Sequence, residues 1–130
     1  MENSTPRRGN NIEKGRAGED ACAEEYEKRG CSVIARNWRK GKIGEIDLIV
    51  LDESGRTLCF CEVKTRKSDR FAQAGAAVDY RKRMKYRLLA DLFLRERPEF
   101  ACCYVRFDVA EVYYGTDPAK LRVELAEGAF

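Results

Sequence analysis

The strongest constraint on how this chain folds is a predicted β-hairpin, in which residues 44–50 and 58–64 flank a short turn. Both segments are apolar with an alternating pattern, which is typical of half-buried strands. Residues 51–57 between them include Gly55, which can adopt the positive φ angle of a tight turn. The sequence therefore predicts two antiparallel strands at this point.

The register of the hairpin brings charged side chains together. A turn centred between Ser54 and Gly55 places Asp47 directly opposite Glu62, with Cβ atoms about 4.5 to 5.5 Å apart. Two ionised carboxylates at that distance repel each other, whereas a bound cation would reverse the penalty. Lys64 lies two residues beyond Glu62 and therefore on the same face of the strand. The hairpin thus predicts a metal site with a neighbouring lysine.

The position of Asp47 within its strand separates this interpretation from simpler ones. Ile46, Leu48 and Val50 are expected to share one face of the strand, which leaves Asp47 on the other. Asp47 is therefore held inside a strand, which argues against a role as a turn or capping residue. For Glu62 and Lys64 the alternative interpretation is a solvent-exposed strand edge, where alternating charges favour solubility.

Length and composition limit the class of protein. With 130 residues, of which 44% are hydrophobic and 36% charged, the chain suits one soluble globular domain. No apolar run approaches the roughly 20 residues that a membrane-spanning helix needs. The polar amino terminus lacks the apolar core of a secretory signal, so we expect a cytoplasmic protein without a membrane partner.

The order of the predicted elements indicates an α/β fold. We expect a helix over 13–29, a strand over 31–38, the hairpin, a loop over 65–78, a helix over 79–97 and a strand region over 102–114. Asp79 is suited to cap the second helix and Pro98 to end it. This order predicts an α/β sandwich with a central mixed β-sheet flanked by helices. The expected domain spans 13–116, between a flexible leader (1–12) and a carboxy-terminal tail (117–130).

The predicted first helix carries an acid on its inner face. Gly15, Glu19, Cys22 and Tyr26 follow the helical period and form a stripe of otherwise small or apolar residues. An unpaired carboxylate would be costly there, so we expect a cation or a lysine to meet Glu19. If this helix covers the hairpin, Glu19 approaches Asp47.

Positive charge is concentrated in residues 64–87, where nine Lys and Arg against two Asp give a local net charge of +7. The apolar stripe of the second helix, followed backwards through Leu88, reaches Lys85 and Lys82, so we expect these lysines to point towards the sheet. A basic block beside a pair of acids is typical of a protein that binds a polyanion such as DNA or RNA. The alternative is a solvated helix surface.

The chain contains six cysteines and no histidine. The absence of histidine excludes mixed Cys/His zinc sites and a histidine general base. No pair of cysteines has the C-x-x-C spacing, and Cys59 and Cys61 are expected on the strand face opposite Glu62. We therefore expect reduced thiols that pack as small hydrophobic groups, with a cysteine metal site or redox pair as the alternative.

The two acids of the hairpin favour a particular metal chemistry. Carboxylates are hard ligands suited to Mg²⁺ or Mn²⁺, and Mg²⁺ commonly takes one or two of them while keeping several waters. Asp47 and Glu62 supply that number. Such a metal supports hydrolysis of a phosphodiester, and Lys64 could orient the attacking water or stabilise the developing negative charge. Glu19 could hold a metal-bound water, accept a second metal or pair with Lys64.

Residues spread over positions 13–112 resemble the YraN family of uncharacterised bacterial proteins. The matching positions are Gly15, Gly18-Glu19-Asp20, Gly30, Arg36-Asn37-Trp38, Gly44-Glu45-Ile46-Asp47-Leu48-Ile49, Glu62-Val63-Lys64-Thr65-Arg66, Phe71, Ala77-Val78, Lys82, Ala90 and Arg106-Phe107-Asp108. That family is regarded as having the restriction-endonuclease-like fold, also called PD-(D/E)XK, and is similar to archaeal Holliday-junction resolvases. The resemblance therefore implies this fold for the chain.

The resemblance also implies roles for individual residues. Glu19 corresponds to the acid on the first helix and Asp47 to the acid of the second strand. Glu62 and Lys64 correspond to the ExK pair. Val63 would lend its backbone carbonyl to the metal.

Together these features predict a metal-dependent nuclease that hydrolyses DNA phosphodiester bonds, on branched or otherwise structured DNA, with Mg²⁺ or Mn²⁺ as cofactor. Basic residues near the acids would contact the nucleic acid: Arg66, Lys67, Arg70, Lys82 and Lys85. Cleavage of two strands would favour a homodimer. The alternative is a nucleic-acid-binding or assembly protein that keeps the same fold without turnover.

Overall fold

The computed structural model describes residues 4–66, 79–115 and 120–130, with side chains from residue 15 onwards. Its helices and strands are α1 (Ser4–Lys28), β1 (Ser32–Lys40), β2 (Gly44–Leu51), β3 (Thr57–Arg66), α2 (Tyr80–Glu96), β4 (Tyr104–Tyr113) and β5 (Arg122–Ala126). One turn of 3₁₀ helix, Pro98–Phe100, lies between α2 and β4. Lys67, Arg70 and most of the loop predicted over 65–78 lie outside the described residues.

A single mixed sheet organises the described part of the chain. Its five strands follow the spatial order β1-β2-β3-β4-β5 within the described ranges. β3 and β4 are parallel, and the other neighbouring strands are antiparallel. α2 lies between β3 and β4 in the chain, as the crossover of a parallel pair requires. The α/β class and the mixed sheet predicted from the sequence are therefore confirmed.

Each face of the sheet packs against one helix. The core under α1 contains Cys22, Ala23, Tyr26, Leu48, Val50, Cys59, Cys61, Ala110 and Val112. The core under α2 contains Ile46, Ile49, Leu58, Phe60, Tyr86, Leu89, Ala90 and Phe93. Because the side chains of a strand alternate, Glu62 and Lys64 lie on the face opposite the cysteines of β3, towards α2. This is the face on which the sequence predicted them.

α1 is longer than the sequence predicted. It begins at Ser4 rather than at residue 13. Pro6 falls in its first turn, where the missing N–H removes no helical hydrogen bond. The helix ends before Gly30, whose φ of +87° is the left-handed conformation that closes many helices.

The contact between α1 and the sheet depends on Gly18. This residue is buried, and a Cβ atom at its position would lie only 2.7 Å from the hydroxyl oxygen of Thr65 on β3. Gly15, which we expected on the inner stripe, has nothing within 4 Å of the corresponding point. The absence of a side chain at Gly18 therefore lets α1 approach β3 closely.

α2 agrees to within one residue at each end with the bounds 79–97 that the sequence predicted. Asp79 caps it by accepting a hydrogen bond from the Lys82 N–H at 2.9 Å, and the helix ends at Glu96, before Pro98. Its buried residues are Tyr86, Leu89, Ala90 and Phe93. Leu88, which the apolar stripe assigned to this face, is instead 48% exposed because the contact with the sheet is centred on Leu89 and Phe93.

The hairpin has the predicted register. β2 and β3 pair Leu48 with Cys61, Ile49 with Phe60, Val50 with Cys59 and Leu51 with Leu58. Gly55 has a φ of +73°, as the turn requires. The Asp52 carboxylate holds the turn by accepting hydrogen bonds from the Thr57 N–H at 3.1 Å and the Ser54 hydroxyl at 2.7 Å. The turn on which the predicted site depends is therefore confirmed.

The carboxy-terminal segment contributes a strand to the sheet. Residues 122–126, which lie in the segment expected as a tail, pair with β4 as β5. The strand region predicted over 102–114 begins at Tyr104, so Cys102 and Cys103 precede it. Within the described ranges, no helix is long and apolar enough to cross a membrane.

Candidate functional site

The candidate site lies where β2 and β3 separate. Their backbone pairing ends one residue before the predicted pair of Asp47 and Glu62. If the ladder continued, Val63 would exchange backbone hydrogen bonds with Ile46. Instead, the Val63 N–H donates to Asp47 Oδ2 at 2.8 Å. The carboxylate of Asp47 thus replaces a backbone acceptor, and the two strands open beyond it.

The backbone of β2 is distorted at the same point. Ile46 packs under α2 whereas Leu48 packs under α1, so the prediction that these residues share a face is wrong. On the other side of β2, the pairing with β1 skips Asn37, the position opposite Asp47. Asn37 has a φ of +52° and is the one non-glycine residue with positive φ in the described part of the chain. Such distortions cost energy and cluster at functional sites.

Tyr86 of α2 fills the opening between the two strands. Its hydroxyl accepts a hydrogen bond from the Asp47 N–H at 3.4 Å and donates to the Cys61 carbonyl at 3.5 Å. Both distances are at the long end for hydrogen bonds. The Tyr86 ring is buried in the core under α2. Tyr86 therefore ties α2 to the place where the strands part and supports the backbone of Asp47.

The surroundings of Asp47 favour its neutral form. Burial raises its pKa from 3.8 to about 7, although the hydrogen bond from Val63 acts in the opposite direction. The negative charges of Glu62, Glu19 and Glu45 raise the pKa further. Either a proton or a bound cation would relieve this repulsion. Because the pKa of Asp47 is about 7, a cation and a proton would compete for its carboxylate near neutral pH.

Glu62 is held beside Asp47 by an ion pair. Its side chain is 8% exposed, and Oε2 lies 2.9 Å from the ammonium nitrogen of Lys82 on α2. Lys82 therefore points towards the sheet, as the sequence predicted. Asp47 and Glu62 both line one cleft of about 370 Å³ between the start of β2 and the amino-terminal end of α2. The structure thus brings the two predicted carboxylate ligands together.

Basic side chains of α2 form one wall of this cleft. The residues that line it with the two acids are Gly44, Glu45, Asp79, Arg81, Lys82, Lys85 and Tyr86. Gly44 has a φ of +147°, and a Cβ atom there would lie 3.0 Å from the Lys85 side chain. Glycine at this position therefore lets Lys85 lie across the start of β2. Both lysines predicted on α2 reach the cleft.

Lys64 and Arg66 follow Glu62 on β3 but lie outside the cleft lining. Lys64 is half-buried, and desolvation lowers the pKa of its ammonium group, while the charges of Glu62 and Glu111 act in the opposite direction. Arg66 donates a hydrogen bond to Glu111 Oε2 at 3.2 Å, so its charge already has a partner on β4. Lys64 is therefore the better candidate of the two for chemistry at the site.

Glu111 is a charged residue near the site that the sequence interpretation missed. Its side chain is fully buried, and Oε2 also accepts a hydrogen bond from the Tyr113 hydroxyl at 3.1 Å. Among the described residues, no group donates to its Oε1. The parallel register places Glu111 beside Lys64. An acid within the otherwise apolar run 109–113 of β4 was the available signal, because buried acids are rare without a partner.

Glu19 reaches the site indirectly, from α1. Its Oε1 accepts a hydrogen bond from Asn37 Nδ2 at 3.1 Å, so the side chain that meets it is an amide rather than the lysine that we expected as one alternative. Its charge contributes to the raised pKa of Asp47. Asn37 was also missed, although asparagine within a predicted strand is itself unusual and marks a local distortion.

The donor set suits a hard cation that keeps several waters. Within the described residues, no three Asp, Glu or Cys side chains gather into a ready metal cage. Mg²⁺ needs only one or two carboxylates, which Asp47 and Glu62 provide. The Val63 N–H points into the opening, and the N–H and C=O of an extended residue project to the same side of a strand. The Val63 carbonyl therefore also faces the opening, where the resemblance assigned it to the metal.

Three of the six cysteines, Cys22, Cys59 and Cys61, are buried and have the character expected of packing residues. All six are free thiols. Burial raises the pKa of Cys22 and of Cys59 to about 12, so both thiols stay protonated at neutral pH. Their environment favours the packing interpretation over a redox pair.

Comparison with known proteins identifies relatives that carry no assigned activity. A sequence model described as "Uncharacterised protein family UPF0102" matches residues 18–112, a span that includes Glu19, Asp47, Glu62 and Lys64. A UPF0102 protein of Frankia casuarinae is 45% identical over 117 residues, which cover 89% of this chain and 94% of the relative. A UPF0102 protein of Caldicellulosiruptor saccharolyticus is 36% identical over 121 residues, which cover 93% of this chain and 99% of the relative. A UPF0102 protein of Symbiobacterium thermophilum is 45% identical over 117 residues, with coverages of 89% and 94%.

Proposed function

This chain belongs to the uncharacterised protein family UPF0102, and we propose from its site that it is a metal-dependent nuclease that hydrolyses DNA phosphodiester bonds. The observation that carries the proposal is the cleft in which Asp47 and Glu62 lie together with Lys82 and Lys85. Paired acids can hold a divalent cation, and adjacent lysines can attract phosphates.

The metal would be Mg²⁺ or Mn²⁺, held by Asp47, Glu62 and the Val63 carbonyl. When bound, such an ion polarises a phosphoryl oxygen and lowers the pKa of water. Lys82 keeps the nearly buried Glu62 in place through their ion pair. The hydrogen bond from the Val63 N–H holds the Asp47 carboxylate in its orientation.

Lys64 is the best candidate for the amine that acts on the substrate. It lies two residues beyond Glu62 on the α2 side of β3, and desolvation lowers the pKa of its ammonium group. A cation there stabilises negative charge that develops on the phosphate oxygens, and its lowered pKa eases proton release. Because the chain has no histidine, other groups must carry the protons, and carboxylates, lysines and water are the candidates at this site. Asp47, with a pKa of about 7, can exchange a proton near neutral pH.

The same arrangement supports the restriction-endonuclease-like architecture as our proposal for the fold. α1 carries Glu19 beside the site, β2 carries Asp47, and β3 carries the sequence Glu62-Val63-Lys64. These positions agree with those that the PD-(D/E)XK resemblance implies. Branched DNA is therefore the first structured substrate to test.

Cleavage assays with purified protein test the proposed activity. With Mn²⁺ or Mg²⁺, the protein is expected to cut at least one of a single strand, a duplex and a four-way junction. Asp47→Asn and Lys64→Ala should each lose about 100-fold or more in rate while the circular dichroism spectrum is unchanged. Glu45→Gln removes a different cleft acid and should stay active. Equal cutting by wild type and Lys64→Ala would overturn the proposal and would indicate a contaminating nuclease.

A second candidate is a nucleic-acid-binding or assembly protein without turnover. The ion pair between Glu62 and Lys82 favours it, because one of the two acids is already neutralised without a metal. This candidate predicts DNA binding that weakens as the salt concentration rises. The Asp47→Asn variant should bind DNA as tightly as wild type, and neither protein should cleave any tested substrate.

A further inference from the structure

The amino-terminal half of α2 presents an apolar stripe outside the proposed cleavage site. Tyr80, Met84 and Leu88 are 73%, 43% and 48% exposed. Because they recur every four residues, they form one line along the outer surface of the helix. Single exposed apolar residues are common, but a contiguous group of large ones marks an interaction surface.

The stripe is bordered by positive charge on both sides. Residues 80–88 contain five basic and no acidic side chains. By the helical period, Arg81 and Lys85 lie between the stripe and the cleft. Both side chains also line the cleft. Arg83 and Arg87 border its far side.

This charge distribution is unfavourable for the helix itself. Asp79 caps α2, but the first turn after this cap contains no further acid, although acids are the residues that the positive end of a helix dipole favours. Each cation near that end costs about 0.3 to 1 kcal/mol. A polyanion bound on this surface would offset the cost, which points to a ligand with phosphates.

The spacing of the stripe indicates which form of nucleic acid fits. Successive members lie about 6 Å apart along the helix axis, since an α-helix rises about 1.5 Å per residue. Bases stacked in a duplex are about 3.4 Å apart, so the stripe matches bases that have separated from the stack. Aromatic side chains beside cations are also how proteins bind single strands without reading their sequence. A continuous duplex keeps its base faces hidden.

We propose that this stripe binds an unpaired DNA strand, with bases packed on Tyr80 and Met84 and phosphates facing Arg81 and Lys85. The inference rests on the proposed function, because a strand held here would lead into the cleft that contains the two acids. It narrows the substrate to DNA with a single-stranded segment, such as a frayed end, a flap or an open junction.

Binding measured without metal tests this inference independently of cleavage. Fluorescence anisotropy in EDTA compares a labelled single strand of about 16 nucleotides with the duplex of the same sequence. Wild type should bind the single strand more tightly. Tyr80→Ala should weaken that binding about 5- to 150-fold, the loss expected for one stacked base, whereas Tyr80→Phe keeps the ring and should bind normally. Tyr104→Ala is the matched control, because Tyr104 is 74% exposed but lies at the start of β4.

Several results would overturn the inference. Equal effects of Tyr80→Ala and Tyr104→Ala, or equally tight binding of duplex and single strand, would each do so. A dimer that Leu88→Glu dissociates in sedimentation experiments would assign the stripe to a second copy of the chain instead. If the protein binds a single strand through Tyr80 but cuts no DNA, the assignment of the stripe is supported. That result would count against the proposed nuclease activity only.

Discussion

Replacement of Asp47 by asparagine is expected to stabilise the metal-free protein at neutral and alkaline pH. The pKa of Asp47 is raised from 3.8 to about 7, mainly by burial. Between these values the folded protein binds more protons than the unfolded chain, so its free energy of unfolding falls as the pH rises. Asparagine has no charge to bury, and its Oδ1 can still accept the hydrogen bond from Val63.

The magnitude follows from the difference between the two pKa values. A rise from 3.8 to about 7 is roughly three pKa units, and at about 1.36 kcal/mol per unit it corresponds to about 4 kcal/mol above pH 7. Because Asp47 is partly exposed, solvent screening reduces this figure, and we expect a gain of about 1 to 4 kcal/mol at pH 8. At pH 5, where the folded protein holds Asp47 protonated, the gain should be less than half as large.

Urea unfolding in EDTA, repeated from pH 5 to pH 8, measures this difference. Glu45→Gln is the control, because Glu45 also lines the cleft but lies 3.8 Å from Arg39, in an exposed ion pair. Its effect should stay below about 1 kcal/mol. The reasoning would be refuted if Asp47→Asn destabilised the protein at pH 8, or if its effect on stability did not change between pH 5 and pH 8.

Three further predictions concern how the site is held. Gly18→Ala should lower the free energy of unfolding by about 1 to 3 kcal/mol, because the new methyl group would lie 2.7 Å from the Thr65 hydroxyl oxygen on β3. Gly15→Ala is the control: its methyl group would enter open space, so it should raise the free energy of unfolding by up to about 1 kcal/mol. Thermal unfolding should show Asn37→Gly to be about 1 kcal/mol more stable than Asn37→Ala, since a φ of +52° disfavours a Cβ atom. Lys82→Met should cost about 1 to 3 kcal/mol in urea unfolding because Glu62, only 8% exposed, loses its cation, and added Mg²⁺ should restore part of that loss.

The features that depend on local chemistry could be predicted from the sequence. Gly55 and the apolar pattern around it fixed the register of the hairpin, because a shift of one residue would have exposed the whole core face. Asp79 and Pro98 marked the ends of α2 for equally local reasons, a side-chain cap and a missing N–H. These features placed Asp47 and Glu62 on neighbouring strands.

The features that depend on tertiary packing could not be predicted in this way. Alternation along β2 indicates a continuous strand, whereas the strand is distorted at Asp47 because a carboxylate replaces a backbone acceptor and the Tyr86 hydroxyl fills the opening. Asn37 pairs with Glu19 only because α1 lies against β1 and β2. Glu111 lies beside Lys64 because β4 is parallel to β3, and the strand sequences alone do not specify that alignment.

A titration with Mn²⁺ at pH 8 most directly tests the central claim that Asp47 and Glu62 form a metal site. Calorimetry should show binding by wild type and by Glu45→Gln, and no binding by Asp47→Asn. The wild-type affinity should also fall about tenfold per pH unit below pH 7, because protons compete with the metal for Asp47. Equal Mn²⁺ affinity in wild type and Asp47→Asn would contradict the claim.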